Sequence, residues 1–221
     1  MPAPLLWLVG SVLLLLVAYA IASLPWRSAA ASLDFPAPIR GVDVRVDAGE
    51  VLVRGDDDTD AVRLRRTARF GIRRPRVHED VDDDRVLHLH ARGSLRYELV
   101  VPSGVPVDVR VGSGRASVVA LAGPVTVRTG AGSVDGRALE SRRVTAEADG
   151  GSVRLWFDRP PADVDVSSSR GEVDLRLPGG PYDVDAEGEA GGCTVAVPVA
   201  SGAPCRVRAR SHGGGVRIRQ R

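Results

Sequence analysis

The chain has 221 residues, of which 43% are apolar, and a formal net charge of +2. This length and apolar content suit one domain, and the presence of only three Trp, three Tyr and three Phe restricts it to a narrow core lined by Val, Leu and Ala. All 30 basic residues are arginine, but the near-zero net charge and the lack of aromatics interleaved with them argue against nucleic-acid binding. Two cysteines are too few for a disulfide-stapled scaffold.

An uncharged, apolar run covers residues 5–24. Its 20 residues are enough for a helix to cross about 30 Å of hydrocarbon, and Trp7 and Trp26 stand near the two interfaces. We therefore predict a transmembrane anchor over residues 1–27. A signal peptide cleaved near residues 29–31 is the alternative, but such peptides have a basic start and an apolar stretch of about 7–15 residues.

The proline- and alanine-rich residues 28–40 predict an extended linker, and the folded domain is expected over residues 41–221. Arg27 and Arg40 follow the anchor, and by the positive-inside tendency they favour a cytoplasmic domain. A long domain is translocated largely regardless of such charges. We therefore expect a single-pass protein of the cell membrane with an extracytoplasmic domain.

Residues 55–105 differ from the rest of the domain because their predicted strands are longer. Acidic turns separate strands expected at residues 62–70, 86–91 and 95–101. We predict an antiparallel excursion that covers the N-terminal end of the domain, since an uncovered sheet edge invites pairing with other chains.

From residue 106 onward the sequence repeats, with two valine-alternating halves in each copy. The two halves of a copy start nine residues apart, except in the last two copies, where the predicted starts are eleven residues apart. These starts are Val42/Val51, Val107/Ala116, Val125/Val134, Val144/Val153, Val164/Val173, Tyr182/Cys193 and Cys205/Val216. Glycine precedes each second half; Val42/Val51 is an outlying copy, and the copies from Val107 onward start 18 to 23 residues apart. The pattern predicts an all-β solenoid of about seven two-strand coils with no long helix.

The motif Val-Asp-Val-Arg-Val followed by a glycine turn and a second valine strand begins at Val42 and Val107 and recurs in looser form to the C-terminus. Over residues 41–221 it resembles the bacterial putative adhesin family, also called toastrack domains, which is related to auto-transporter adhesin head domains. The resemblance implies a β-solenoid at the cell envelope that serves binding or interaction, with an N-terminal membrane segment as a common companion.

Stacked repeats place equivalent outward side chains about 4.8 Å apart in columns. One predicted column, read from the repeat starts, is Asp108, Thr126, Thr145, Asp165, Asp183 and Arg206. Asp165 next to Asp183, with Asp163 and Asp185 beside them, would gather carboxylates that suit Ca²⁺. The alternative is that these aspartates only solvate the strand faces. In a second column, Arg128 and Glu147 are expected to form a stabilising cross-strand pair.

Arginines cluster on the last two half-repeats, at Arg206, Arg208, Arg210, Arg217 and Arg219. The cluster predicts a cationic end of the solenoid that binds an anionic envelope polymer or lipid headgroups. The alternative is a solvated edge that repels further strands.

Two weaker candidates remain in the sequence. Cys193 and Cys205 fall on inward positions, where buried free thiols are favoured over a disulfide because strand starts about 16 Å apart exceed the roughly 7 Å limit. His88 and His90 share one strand face at a spacing that can bind metal, but the sequence identifies no third ligand.

The sequence contains no GxSxG, HExxH or P-loop motif, so we expect no catalytic residue, no enzyme activity and no cofactor. We interpret the chain as an adhesin-like module that binds an envelope polymer or another envelope protein. The alternative is a regulatory domain for envelope stress or a self-associating scaffold, and a more distant one is an enzyme acting on acidic polysaccharide.

Overall fold

The computed structural model describes residues 27–35, 38–70 and 75–221. These residues form one mixed, fifteen-stranded sheet, so the all-β prediction is confirmed for them. The strands are β1 (Arg27–Phe35), β2 (Gly41–Asp56), β3 (Val62–Phe70), β4 (Arg76–Val81), β5 (Val86–Pro102), β6 (Val107–Val119), β7 (Val125–Leu139), β8 (Arg143–Ala148), β9 (Val153–Phe157), β10 (Asp163–Ser168), β11 (Val173–Leu177), β12 (Asp183–Gly188), β13 (Cys193–Ala196), β14 (Arg206–Ser211) and β15 (Val216–Gln220). Within this part of the chain, no helix is long and apolar enough to cross a membrane. The predicted anchor over residues 5–24 lies outside the described residues.

The strands lie in two rows. The first row has the order β1-β3-β5-β2-β6-β7-β8-β10-β14-β12, and the second row follows β7 with β9, β11, β15 and β13. The long strands β2, β6 and β7 contain both halves of a repeat, whereas later repeats contribute one separate strand to each row. The pairs β1–β3, β3–β5 and β4–β5 are antiparallel, and all other strand pairs are parallel.

Alternation along each strand decides which side chains form the core. In β10, Val164 and Val166 are fully buried, while the side chain of Asp165 between them is 51% exposed. In β11, Val173, Leu175 and Leu177 are likewise fully buried. The period of two expected for half-buried strands is therefore the pattern that separates the apolar interior from the polar surface.

The glycines before the second halves form a column in which the backbones of successive repeats touch. A Cβ on Gly132 would lie 1.7 Å from the carbonyl oxygen of Gly114, and one on Gly114 would lie 1.8 Å from that of Gly49. Gly114 also has a φ of 128°, which side chains other than that of glycine rarely adopt. Glycine recurs in the sequence because nothing larger fits this corner.

Buried hydroxyls complete the later turns. The Ser211 hydroxyl donates to the carbonyl oxygen of Gly171 at 2.7 Å and accepts from the Gly214 amide at 3.0 Å. Ser168 makes the same two contacts one repeat earlier, with Gly151 and with the Gly171 amide. Each serine thus provides partners for two part-buried backbone groups of its turn.

The order of the last two repeats differs from the order in the chain. The C-terminal repeat, β14 and β15, lies between β10/β11 and β12/β13, so that β12 and β13 form the end of the array. Val207 pairs with both Val164 and Val184, and Cys193 pairs with Val216. The last two repeats therefore keep the offset of nine, and starting them at Tyr182 and Cys205 was wrong.

Charge complementarity favours this order. Sequential stacking would place the acidic strands β10 and β12 side by side, and like charges opposite each other destabilise a sheet. With the arginine-rich β14 between them, Arg208 lies 3.6 Å from Asp165 and Arg210 lies 3.2 Å from Asp185. The signs of the outward charges alternate as a result.

The N-terminal end of the array differs in detail from the predicted excursion. β5 is one continuous strand that runs parallel to β2 along its whole length, whereas β3 and β4 pair with it in the antiparallel sense. β1, which lies within the segment expected to be a linker, pairs with β3.

Candidate functional site

The predicted outward columns are confirmed in the four repeats that start at residues 107, 125, 144 and 164. Thr126 pairs with Asp108 and with Thr145, and Thr145 pairs with Asp165. In the adjacent column the Arg128 Nε donates to Glu147 Oε2 at 2.9 Å, so the predicted cross-strand pair is confirmed. This hydrogen bond is the largest cause of a raised pKa of Arg128.

The carboxylates predicted to gather around calcium do not lie on neighbouring strands. Asp163 and Asp165 are on β10, Asp183 and Asp185 are on β12, and β14 separates them. Two strand spacings put the two groups about 10 Å apart, whereas calcium ligands lie about 2.3–2.6 Å from the ion. The predicted stacking of Asp165 on Asp183 is therefore wrong, because β14 lies between their strands.

The predicted arginine patch lies within the array and is largely ion-paired. Arg208 and Arg210 contact the aspartates of β10 and β12. On the second row, Arg217 lies 3.1 Å from Glu172, and Arg219 lies 2.7 Å from Asp174. Arg206 is exposed and faces Asp163 and Asp183 across the strand register. Balanced pairs replace the concentrated positive charge expected at an end of the array.

Both cysteines are free, as favoured, but Cys193 is exposed and Cys205 is half-buried. Their prediction as core residues is therefore wrong for Cys193. The reason is its position on β13, which pairs with β15 on one side and has no neighbour on the other among the described strands.

A groove follows the glycine column on the outer surface, and we call it the glycine groove. It has a volume of about 920 Å³. Its lining residues are Gly49, Glu50, Arg65, Thr67, Ser94, Leu95, Arg96, Glu98, Gly114, Arg115, Ala131, Gly132 and Ser133. The glycines leave its floor without side chains, and β3 forms one wall because it pairs with β5 beside the corner. The repeat pattern predicted the glycines, but the wall depends on pairing between distant segments.

The charged side chains of the glycine groove are accessible and incompletely neutralised. Three guanidinium groups, of Arg65, Arg96 and Arg115, face two carboxylates, of Glu50 and Glu98. Arg96 contacts both carboxylates, and the groove lining as a whole carries one excess positive charge. Arg115 is 59% exposed and lies 3.4 Å from Asp135 outside the groove.

A second cluster contains the two predicted histidines. β5 carries His88 and His90, and the paired strand β2 brings Asp43 beside His88. Donor atoms of the three side chains lie within 4.8 Å of one another, the only such group of three or more found in the described part of the chain. Sequence reasoning found the histidines but missed Asp43, which only the parallel pairing of β2 and β5 brings near.

Asp82 fixes the orientation of His88. Its Oδ2 lies 3.0 Å from His88 Nε2, and its Oδ1 accepts a hydrogen bond from the Val86 amide at 2.8 Å. The hydrogen bond to Asp82 raises the pKa of His88, and the same bond lowers the pKa of Asp82. His88 Nδ1 faces Asp43 Oδ2 at 3.5 Å.

No family model and no curated protein matches the chain. Its structure is similar to a putative cell adhesion protein from Clostridium sporogenes, with 10% identity and a TM-score of 0.49 over 89% of this chain and 100% of the other. It is also similar to putative adhesins from Parabacteroides distasonis (11% identity, TM-score 0.30, 87% and 97% covered) and Parabacteroides merdae (11%, 0.31, 87% and 96%). Likenesses at this level carry no argument about ligand or activity.

Proposed function

We propose that the chain is a non-catalytic binding module of the cell envelope and that its glycine groove holds an acidic polysaccharide. The observation that carries this proposal is the groove itself, a long polar depression with a bare backbone floor and accessible arginines on its walls. Its volume lies at the upper end of the range of about 300–1,000 Å³ typical of ligand sites. Guanidinium groups bind carboxylates with paired, charge-assisted hydrogen bonds, which suits a uronate polymer.

The proposed scaffold is a β-solenoid of the kind found in toastrack adhesins, in which β5 adds a parallel layer to the seven predicted coils. Its support is that first halves pair with first halves and second halves with second halves throughout the parallel part of the array. Such stacking makes the outer surface periodic and rigid, which favours recognition of a repeating polymer over that of a small molecule.

Polygalacturonate tests the groove, with dextran as the uncharged polymer. The full chain in detergent micelles should bind polygalacturonate and release it as ionic strength rises from about 0.1 M to about 1 M, because the screening length falls from about 10 Å to about 3 Å. The double variant Arg65→Gln/Arg115→Gln should lose most of the binding. Arg206→Gln/Arg217→Gln, which removes the same charge outside the groove, should keep it.

Two results would overturn this assignment. Loss of binding in the second double variant alone would place the anion site at the C-terminal arginines. Equal retention of dextran and polygalacturonate by all proteins would show that the groove does not select charge.

We further propose that residues 5–24 anchor the module in the cell membrane with the domain outside. The support is the length and apolarity of that segment. Protease added to intact spheroplasts should degrade the domain. Protection until lysis would mean that the arginines after the segment had retained the domain inside.

A second candidate function, end-to-end self-association, has one observation in its favour. Beside the open edge of β13, the side chains of Val195 and Val199 are 36% and 57% exposed, and an uncovered edge of this kind favours strand pairing between chains. Light scattering should then show association that grows with protein concentration and is lost in Val199→Asp. A monomer at all concentrations would exclude it.

A further inference from the structure

We propose that Asp43, His88 and His90 bind a divalent transition-metal ion and that Asp82 positions His88 for this role. The site lies on the outer face of the first row where β2 pairs with β5, remote from the glycine corner. It is independent of the proposed polysaccharide groove.

The geometry of the three donors fits one ion after small rotations of the side chains. Tetrahedral zinc with bonds of about 2.0–2.2 Å has donor atoms about 3.4 Å apart. The three side chains already place donor atoms within 4.8 Å of one another, with 3.5 Å between His88 Nδ1 and Asp43 Oδ2. They come from facing positions on one rigid strand pair, so little backbone movement is needed.

Asp82 provides the outer contact that metal-binding histidines commonly have. A histidine ligand usually donates its second ring N–H to a carboxylate, which fixes the tautomer and aims the other nitrogen at the metal. Here Asp82 accepts from His88 Nε2, and the Val86 amide holds Asp82 in place. The remaining nitrogen, Nδ1, is the one that faces Asp43.

His90 supplies an independent observation. Its Nε2 is buried and has no hydrogen-bond partner among the described residues. A buried polar atom without a partner is costly, and a coordinated metal would give this nitrogen one. The side chain of His88 is 29% exposed, so the cluster borders solvent, which can supply the fourth ligand of a tetrahedral ion.

The donor set selects the class of metal. Two imidazoles and one carboxylate suit Zn²⁺, Co²⁺ and similar ions, whereas Ca²⁺ and Mg²⁺ require oxygen ligands. Arg45 competes for the site, because its guanidinium binds Asp43 at 2.8 and 3.2 Å. Since the Arg45 side chain is 48% exposed, it can swing into solvent when a cation enters.

The test uses the full chain without a histidine tag in detergent micelles, titrated with CoCl₂ and then with ZnSO₄. One equivalent of Co²⁺ should give the visible absorption of a four- or five-coordinate ion, and Zn²⁺ should displace it. Asp43→Asn and His90→Ala should abolish the absorption. Asp82→Asn should weaken binding by about 10- to 100-fold, as expected of an outer-sphere partner. His212→Ala, which changes a histidine between β14 and β15, should bind Co²⁺ as the unaltered protein does.

Arg45→Gln separates this proposal from an ion-pair cluster that merely stabilises the sheet. Removing the competing cation should tighten Co²⁺ binding severalfold, and a purely structural cluster would show no such gain. Thermal unfolding without metal shows whether each variant is folded. If His90→Ala does not fold, Asp43→Asn still tests the site because it conserves the side-chain volume. Absence of stoichiometric Co²⁺ binding, or binding that persists in both folded Asp43→Asn and folded His90→Ala, would overturn the proposal.

Discussion

Gly132→Ala tests the close backbone contact at the corner of the array. The new Cβ would lie 1.7 Å from the Gly114 carbonyl oxygen and 2.7 Å from the Gly114 carbonyl carbon, where ordinary contacts begin near 3.4 Å. Because both obstacles are backbone, β6 and β7 must move apart at a corner that is paired on both sides. Overpacking in such places costs about 1–3 kcal/mol, and lost ladder hydrogen bonds add to it.

We therefore expect Gly132→Ala to lower the free energy of unfolding by at least about 3 kcal/mol, which for a domain of this size lowers the Tm by about 6–12 °C. The matched control is Gly104→Ala, since nothing lies within 4 Å of a Cβ built there. It should leave the Tm unchanged or raise it slightly through the unfolded state. Circular dichroism melts of both variants provide the comparison. Equal Tm values would refute the reasoning about the corner.

Two further substitutions probe the interior by the same melting experiment. Val166→Asp buries a charge without a partner, which costs several kcal/mol and is comparable to the stability of a whole domain. Asp165→Val removes only a surface ion pair worth at most about 1 kcal/mol. Similar Tm values for the two variants would contradict the observed inward and outward faces. Ser211→Ala should cost about 1–3 kcal/mol because it removes two hydrogen bonds of a part-buried turn, each worth about 0.5–1.5 kcal/mol, while exposed Ser201→Ala should stay within about 0.5 kcal/mol. A loss no greater for Ser211 than for Ser201 would show that the hydroxyl does not satisfy the turn.

The sequence was sufficient for those features that depend on neighbouring residues. Alternation identified which side of each strand is buried, as at Val164 and Val166. Alignment of the repeat starts Val125 and Val144 predicted the register that brings Arg128 to Glu147. Both predictions hold because side-chain direction in a strand has a fixed period and because identical repeats stack in register.

Features that depend on which distant segments become neighbours could not be predicted from the sequence. The placement of β14 between β10 and β12 brings opposite charges together across strands, and no local pattern encodes it. For the same reason Asp43 was missed as a partner of the histidines, and β3 was missed as a wall of the glycine groove. The predicted offset of eleven in the last two repeats was wrong, because a uniform offset of nine residues fits every repeat.

The position of the C-terminal repeat determines which polar residues meet on the surface, and disulfide trapping tests it directly. In a background with Cys193 and Cys205 replaced by serine, Asp165→Cys/Arg208→Cys should cross-link readily, because paired residues on neighbouring strands lie about 4.8 Å apart. Asp165→Cys/Asp185→Cys should not, since these residues pair with Arg208 from opposite sides and two strand spacings exceed the roughly 7 Å limit for a disulfide. Cross-linking of the second pair but not the first would show that the repeats stack in chain order and would contradict the structure.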